Sequence, residues 1–269
     1  MPLATAAIAF QSPVHTNSPR TQVRVLGAFI DAVSWDEALE RIWQLAKRRQ
    51  SAYVGICNAH SVVTAAQDPA FAAALAGAEM NTPDGAPVAW MMRKLGYTGQ
   101  QRINGPDLML RYCAVASQRD ESIFLYGASS ETLSLLQKRL ERDWPTLKIA
   151  GAYSPPFRPL SVQEDADIIQ LINNSGAGTV WVSLGCPKQE LWMAKQHGHI
   201  NAVMIGVGAA FDYHAGTLRR APLWMQKRGL EWFYRLVTEP RRLWRRYLIT
   251  NTAFIAGAAR QLLSTGNKS

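Results

Sequence analysis

Residues 122–152 read SIFLYGASSETLSLLQKRLERDWPTLKIAGA, and this one stretch sets the kind of fold to expect. An apolar run at 122–126 ends on Gly127. Ser129 and Ser130 then offer a cap for a helix, and a second apolar run follows at 147–152. Strand, glycine turn, capped helix and strand make the repeating unit of a parallel sheet. The alternation continues on either side, with further apolar runs at 22–27, 52–57, 78–81, 179–184 and 202–207. Ser34-Trp-Asp-Glu37 and Ser161-Val-Gln-Glu164 have the form of capping boxes. Pro69, Pro106 and Pro187 stand where first helical residues belong. Residues 21–216 are therefore expected to form a Rossmann-like α/β domain, a mainly parallel sheet with helices on both faces. In such sheets ligands bind at the carboxyl ends of the strands.

The segments that follow the strands carry unusual polar chemistry. Asn58 comes after the run at 52–57, as a helix cap or as an amide turned into the cleft. His60 beside it reads as structural or partly exposed. Asp84, in Thr82-Pro-Asp-Gly85, is either a turn-and-cap residue or a general base at the sheet edge. Arg102, in a loop rich in Gly and Pro, can offer its fork to a phosphate or pair with a nearby acid. Gly127 opens a helix N-terminus, a seat for a diphosphate. Lys188, Gln189 and Glu190 crowd the first turn of the next helix, and Asp212 follows the last strand, as a ligand or a helix-positioning group. The Gly206-Val-Gly208 stretch places Phe211 where a dinucleotide fingerprint needs its third glycine, so a nicotinamide enzyme is disfavoured. Asp165-Ala-Asp167 has the form of a metal–nucleotide motif but sits in a capped first turn, where acids favour the helix dipole. It reads as exposed structure, and no metal site is expected.

Hydrophobic content of 48% and charged content of 18% suit a globular chain of 269 residues. Residues 1–20 read as a disordered lead. Cys57, Cys113 and Cys186 form no CxxC and are expected to be reduced thiols. No apolar run is long enough to span a bilayer. The formal charge of +9 is concentrated between His214 and Leu248, where nine Lys/Arg face only Glu231 and Glu239. Six Trp, Tyr and Phe residues are interleaved with them, including Trp244. Residues 217–269 are expected to form an appendage of two helices, begun by Pro222 and Pro240. Its second helix should present Leu243, Trp244, Tyr247 and Leu248 against a basic face of Arg241, Arg242, Arg245 and Arg246, suited to an anionic membrane surface. A nucleic-acid-binding role would use the same charge but leave the polar clusters after the strands without a task.

Taken together, TPDG at 82–85, RINGPDLM at 102–109, GCPKQE at 185–190, GVGAAFD at 206–212, RAPLWMQKRGLEW at 220–232 and RLVTEPRRLWRRYL at 235–248 resemble the WecG/TagA/CpsF glycosyltransferases, over roughly residues 22–262. Within that family, GAPVAWM at 85–91 and the tail most resemble an exopolysaccharide, xanthan-type branch that adds glucose to a glucosyl diphosphoprenol; an N-acetylmannosaminyl-type transferase is the alternative. The resemblance implies metal-independent, inverting transfer from a nucleotide diphosphate sugar, a UDP-sugar by expectation, to a diphosphoprenyl-linked sugar. It implies no cofactor and no nucleic-acid partner, a place at the inner face of the bacterial cell membrane, and leaves a homo-oligomer open. It makes Asp84 the general base and Arg102 and Gln189 site residues. Asn58, Gly127, Lys188 and Asp212 are expected on the donor side, and Arg235, Arg242 and Arg245 at the acceptor diphosphate. Family members often carry Thr where this chain has Ile56.

Overall fold

The computed structural model describes residues 20–266. An antiparallel hairpin, β1 (Gln22–Val25) and β2 (Ala28–Asp31), leads into α1 (Trp35–Lys47), β3 (Ala52–Cys57), α2 (Ala59–Gln67), α3 (Pro69–Ala76), β4 (Met80–Pro83), α4 (Ala86–Lys94) and α5 (Gly105–Gln118). Then come β5 (Ser122–Gly127), α6 (Ser130–Asp143), β6 (Lys148–Tyr153), α7 (Val162–Ser175), β7 (Thr179–Ser183), α8 (Lys188–Gln196), β8 (Val203–Gly206) and α9 (Ala210–Ala215). The chain continues through α10 (Leu223–Lys227), α11 (Glu231–Thr238) and α12 (Pro240–Gly266). Strands β3 to β8 form one parallel sheet in the order β4-β3-β8-β7-β5-β6.

Period-two alternation sorts the strand residues between two faces. Val54, Ile123, Leu125, Trp181, Val203 and Ile205 pack under α1, α5, α6 and α9. Their neighbours Tyr53, Phe124, Tyr126, Val180, Val182 and Met204 pack under α7 and α8. Each fully buried large side chain contributes about 1.5–3 kcal/mol, so both faces are strongly held. A third cluster joins the hairpin to α2, α3, α4 and the far part of α12 through Val23, Val25, Val62, Phe71, Met91, Phe254 and Ala258. α2 and α3 leave β3 on the side where α3 meets α8, whereas α9 leaves the adjacent β8 on the opposite side. Diverging connections of this kind open a crevice at the carboxyl edge.

Several expectations are corrected. The run at 22–27 is no strand of the main sheet: the chain turns at Leu26-Gly27 and returns as β2, and the hairpin attaches to β4 by side chains. Asn81 carries this attachment, its backbone N–H donating to Asp31 (2.7 Å) and its amide to the Phe29 carbonyl (3.0 Å). The strand expected at 78–81 lies two residues later, ending at Pro83, which is tolerated on an edge strand. The expected lead at 1–20 lies outside the described residues except for Arg20, which pairs with buried Asp31 at 2.7 Å. Asp165 is buried rather than exposed; it accepts from Lys195 (2.6 Å) and Gln196 (2.8 Å), while Asp167 remains outside. The appendage has three helices, because Gly229 at φ 72° breaks the expected first helix into α10 and α11. The three cysteines are free, with Cys57 and Cys113 buried.

Candidate active site

The sheet brings the candidate residues to one edge. Asn58, Asp84, Gly127, Gly185 and Gly208 follow five strands on the same carboxyl side. The Asp84 N–H donates to the Cys57 carbonyl (2.9 Å), extending the β3–β4 ladder and setting Asp84 beside Asn58. Gly85, at φ 79°, is the cap residue of α4, so Asp84 is no helix cap. Its Oδ1 accepts from the Gly85 N–H (2.6 Å) and from Nε of Arg102 (3.2 Å). Burial raises the proton affinity of Asp84; Arg102 opposes this and the Glu231 carboxylate reinforces it, leaving the pKa above the ordinary carboxylate value.

Ile56, at the position where relatives often carry Thr, is buried in the core and contributes no hydroxyl. Its cross-strand partner Thr82 does carry one, which donates to the Ile103 carbonyl at 3.3 Å and ties the loop holding Arg102 to β4.

The sequence presents Glu231 only as an acid within a basic tail. As the first residue of α11 it enters this site: Oε2 accepts from Nη2 of Arg102 (2.5 Å) and Oε1 from Nε of Arg220 (3.0 Å). Arg220 also forks onto Asp107 (2.5 and 3.3 Å), and Asp107 is held by Asn104. The result is an alternating chain of charges, Asp84, Arg102, Glu231, Arg220 and Asp107. Nothing local marks Glu231 for this place; only the spacing of the RAPLWMQKRGLEW motif carries Arg220 and Glu231 together.

On the other side of the crevice, Gly127 has φ 110°, and a Cβ there would lie 2.4 Å from the Ser183 carbonyl oxygen, so glycine is required. Ser129 caps α6 by accepting from the Thr132 N–H, and the Thr132 hydroxyl donates to Asp212 at 3.4 Å. Gly127 and Asp212 thus stand at one helix N-terminus. Asn58 does cap α2, accepting from the His60 (2.9 Å) and Ser61 (3.2 Å) N–H groups, and its amide nitrogen has no hydrogen-bond partner among the described residues. Gln189 is buried; its Oε1 accepts from Gly185 (3.2 Å) and Gly208 (3.1 Å) while its amide donates to Glu190 (2.9 Å). It latches two strand-end loops together. Lys188 is exposed, and the α8 N-terminus has no side-chain cap.

The appendage arginines divide. Arg235 and Arg242 both pair with Glu239, and Arg245 stacks on Trp244. Arg241 is exposed. Arg246 corrects the expectation of a single outward basic face. It is half-buried and close enough to His60, Cys186 and Glu190 to influence their charge. Leu243 is buried and Tyr247 half-buried, so they face the body; Trp244, Leu248 and Ile255, one stripe at helical spacing, are 49%, 62% and 68% exposed. His60 meets Thr250 of α12 across 3.3 Å, and burial followed by Arg246 lowers its pKa to about 4. No helix among the described residues is long and apolar enough to cross a membrane.

Comparison with known proteins gives a family for the chain. A model of the glycosyl transferase WecG/TagA/CpsF family matches residues 23–268. An N-acetylglucosaminyldiphosphoundecaprenol N-acetyl-beta-D-mannosaminyltransferase of Bacillus spizizenii is 34% identical over 202 residues, 75% of this chain and 76% of that protein. Its namesake in Bacillus subtilis is 34% identical over 198 residues, 73% and 75% respectively. Both relatives are named for N-acetylmannosamine, so the expected glucose-adding branch gains no support, and the alternative reading of the sequence stands closer.

Proposed function

The chain belongs to the WecG/TagA/CpsF family of glycosyltransferases, and from that premise we propose that it moves N-acetylmannosamine from a nucleotide diphosphate sugar, UDP by expectation, onto a diphosphoprenyl-linked N-acetylglucosamine during cell-surface polysaccharide assembly. Membership of a transferase family replaces the oxidoreductase and nucleic-acid readings. The observation that carries the reading is the Asp84–Arg102 pair at the carboxyl edge, with the basic appendage closed onto it through Glu231.

In this reading an acceptor hydroxyl attacks the anomeric carbon with inversion, and Asp84 takes the hydroxyl proton. The bond from the anomeric carbon to the diphosphate breaks, and the departing nucleotide gains negative charge. Arg102, Lys188 and the uncapped amides of α8 meet that charge. Gly127, Asp212 and Asn58 belong to the donor side, and Gln189 positions the loops around it. The Asp165-Ala-Asp167 pair divides, one acid inward to Lys195 and one outward, so this stretch is not the metal–nucleotide site that its form suggests. Arg235, Arg241, Arg242 and Arg245 serve the acceptor diphosphate and anionic lipid at the inner membrane face, Arg246 approaches from within, and Trp244 and Leu248 enter the headgroup layer.

The test offers UDP-N-acetylmannosamine and UDP-glucose in parallel with a short-chain diphosphoprenyl N-acetylglucosamine, with and without EDTA. Release of UDP with the first donor only, in EDTA, is expected. Efficient transfer from UDP-glucose alone would overturn the sugar assignment.

A further inference from the structure

Arg102 is held from two directions by residues remote in the sequence. Its Nε meets Asp84 and its Nη2 meets Glu231, while its Nη1 has no hydrogen-bond partner among the described residues. A guanidinium presents five N–H groups in one rigid plane, so two carboxylates, one at Nε and one at Nη2, fix that plane and leave the Nη1 group open. Glu231 is fixed in turn by Arg220, which forks onto Asp107 and reaches Asn104 at 3.2 Å. Side-chain exposures of 23% for Arg102, 18% for Arg220 and 15% for Glu231 set this network apart from a solvated surface pair, which would hold little.

We infer that Glu231 and Arg220 are positioning residues, a brace by which the appendage holds Arg102 against Asp84 with its Nη1 group free for the leaving diphosphate. This rests on the reading of Asp84 as the general base. Glu231 acts on Asp84 through the placement of Arg102 and through its own charge. The charged or titratable groups facing Asp84 are Arg102, Glu231 and Cys57, whose thiol burial keeps protonated. Those facing Glu231 are Arg102, Arg220 and Tyr213, a phenol pushed up to about 12 by burial and therefore neutral.

Glu231→Gln removes the charge and keeps the shape. It is expected to lower kcat roughly tenfold to a hundredfold, the scale of a small misplacement, with little change in the donor KM. The acid limb of the kcat/KM profile should move to higher pH, because Asp84 loses the cation that Glu231 holds against it, a larger influence than the negative neighbour lost with it. Glu231→Asp keeps the charge and should return the acid limb towards its native position. Titration of ¹³C-labelled aspartate, with the Asp84 signal identified by its loss in Asp84→Asn, should show the same upward movement without any transfer assay. An Asp84 titration unmoved or moved downwards by Glu231→Gln overturns the brace, even where kcat and thermal stability both fall. Failure of the wild-type protein to transfer any sugar instead defeats the proposed function, and the titration still reports on the brace. Should Glu231→Gln not fold, Arg220→Lys keeps the charge but loses the fork; an unchanged kcat in that variant also overturns the inference.

Discussion

Asp84 stands under opposing influences from distant parts of the chain. Burial and Glu231 favour its protonated form and Arg102 its carboxylate, with a net direction upwards. A base of raised pKa works above that value and is silenced as pH falls through it, so the acid limb of activity should lie above that of an ordinary aspartate. Asp84→Asn should fold, because Gly85 and not Asp84 caps α4. It should lose roughly 10²–10⁴-fold in turnover. Circular dichroism beside a UDP-release assay checks both halves, and native turnover in the folded variant removes Asp84 from the chemistry. Local chemistry narrowed Asp84 to base or cap, and backbone geometry removes the cap. It could not show that Gln189 spends its amide inside the protein, because that depends on two loops meeting through the fold.

Helices and strands were readable where period and punctuation are local. The two capping boxes and the glycine turn after β5 all form where the residues place them. The hairpin return and the break in the appendage were harder, since a single glycine in an apolar run can be a tolerated residue or a reversal. Gly229 is such a point: at φ 72°, with the position of an added Cβ 2.5 Å from Ala86, it brings the appendage close to the start of α4. Gly229→Ala should cost about 1–3 kcal/mol in backbone strain alone and lower kcat, because Glu231 lies two residues on. A urea midpoint at native level with native kcat would contradict this. The orientation of α12 was hidden because apolar residues occupy both of its faces, and only packing chooses between them. Leu248→Glu with Ile255→Glu, both on the exposed stripe, should reduce binding to anionic vesicles at least tenfold, given the apolar area involved. Transfer to a soluble short-chain acceptor should continue. Co-sedimentation run beside the soluble assay distinguishes a lipid-facing stripe from one that merely lies open to water.

Across the whole molecule, two imidazoles, His214 buried and His60 half-buried, make folding sensitive to mild acid. His60 and His214 both have pKa values lowered to about 4, chiefly by burial. Unfolded imidazole titrates near 6.5, so between roughly pH 6.5 and 4 the unfolded chain binds more protons than the folded one. Their stabilising contribution is complete above that window, is lost as pH falls through it and levels off below about 4. His214, whose Nε2–H donates to the Pro106 carbonyl at 2.9 Å, accounts for up to about 3 kcal/mol of this. The thermal midpoint should fall between pH 7 and 5, and His214→Gln should flatten that fall; a slope unchanged by the substitution would remove His214 as its source. The clasp between α12 and the hairpin sets a further constraint, one of timing. Gln261 accepts from the Leu26 N–H (2.8 Å) and donates to the Arg24 carbonyl (2.6 Å), and Gly257 lies against the Leu26 side chain. On the ribosome the hairpin strands emerge 235 residues or more before the part of α12 that clasps them. That is a contact of very long sequence separation, slow to form and exposed to error meanwhile. A nascent chain stalled before residue 254 would hold an open apolar groove where Phe254 and Ala258 belong, so chaperone dependence during synthesis should track the arrival of the last helix more closely than completion of the sheet.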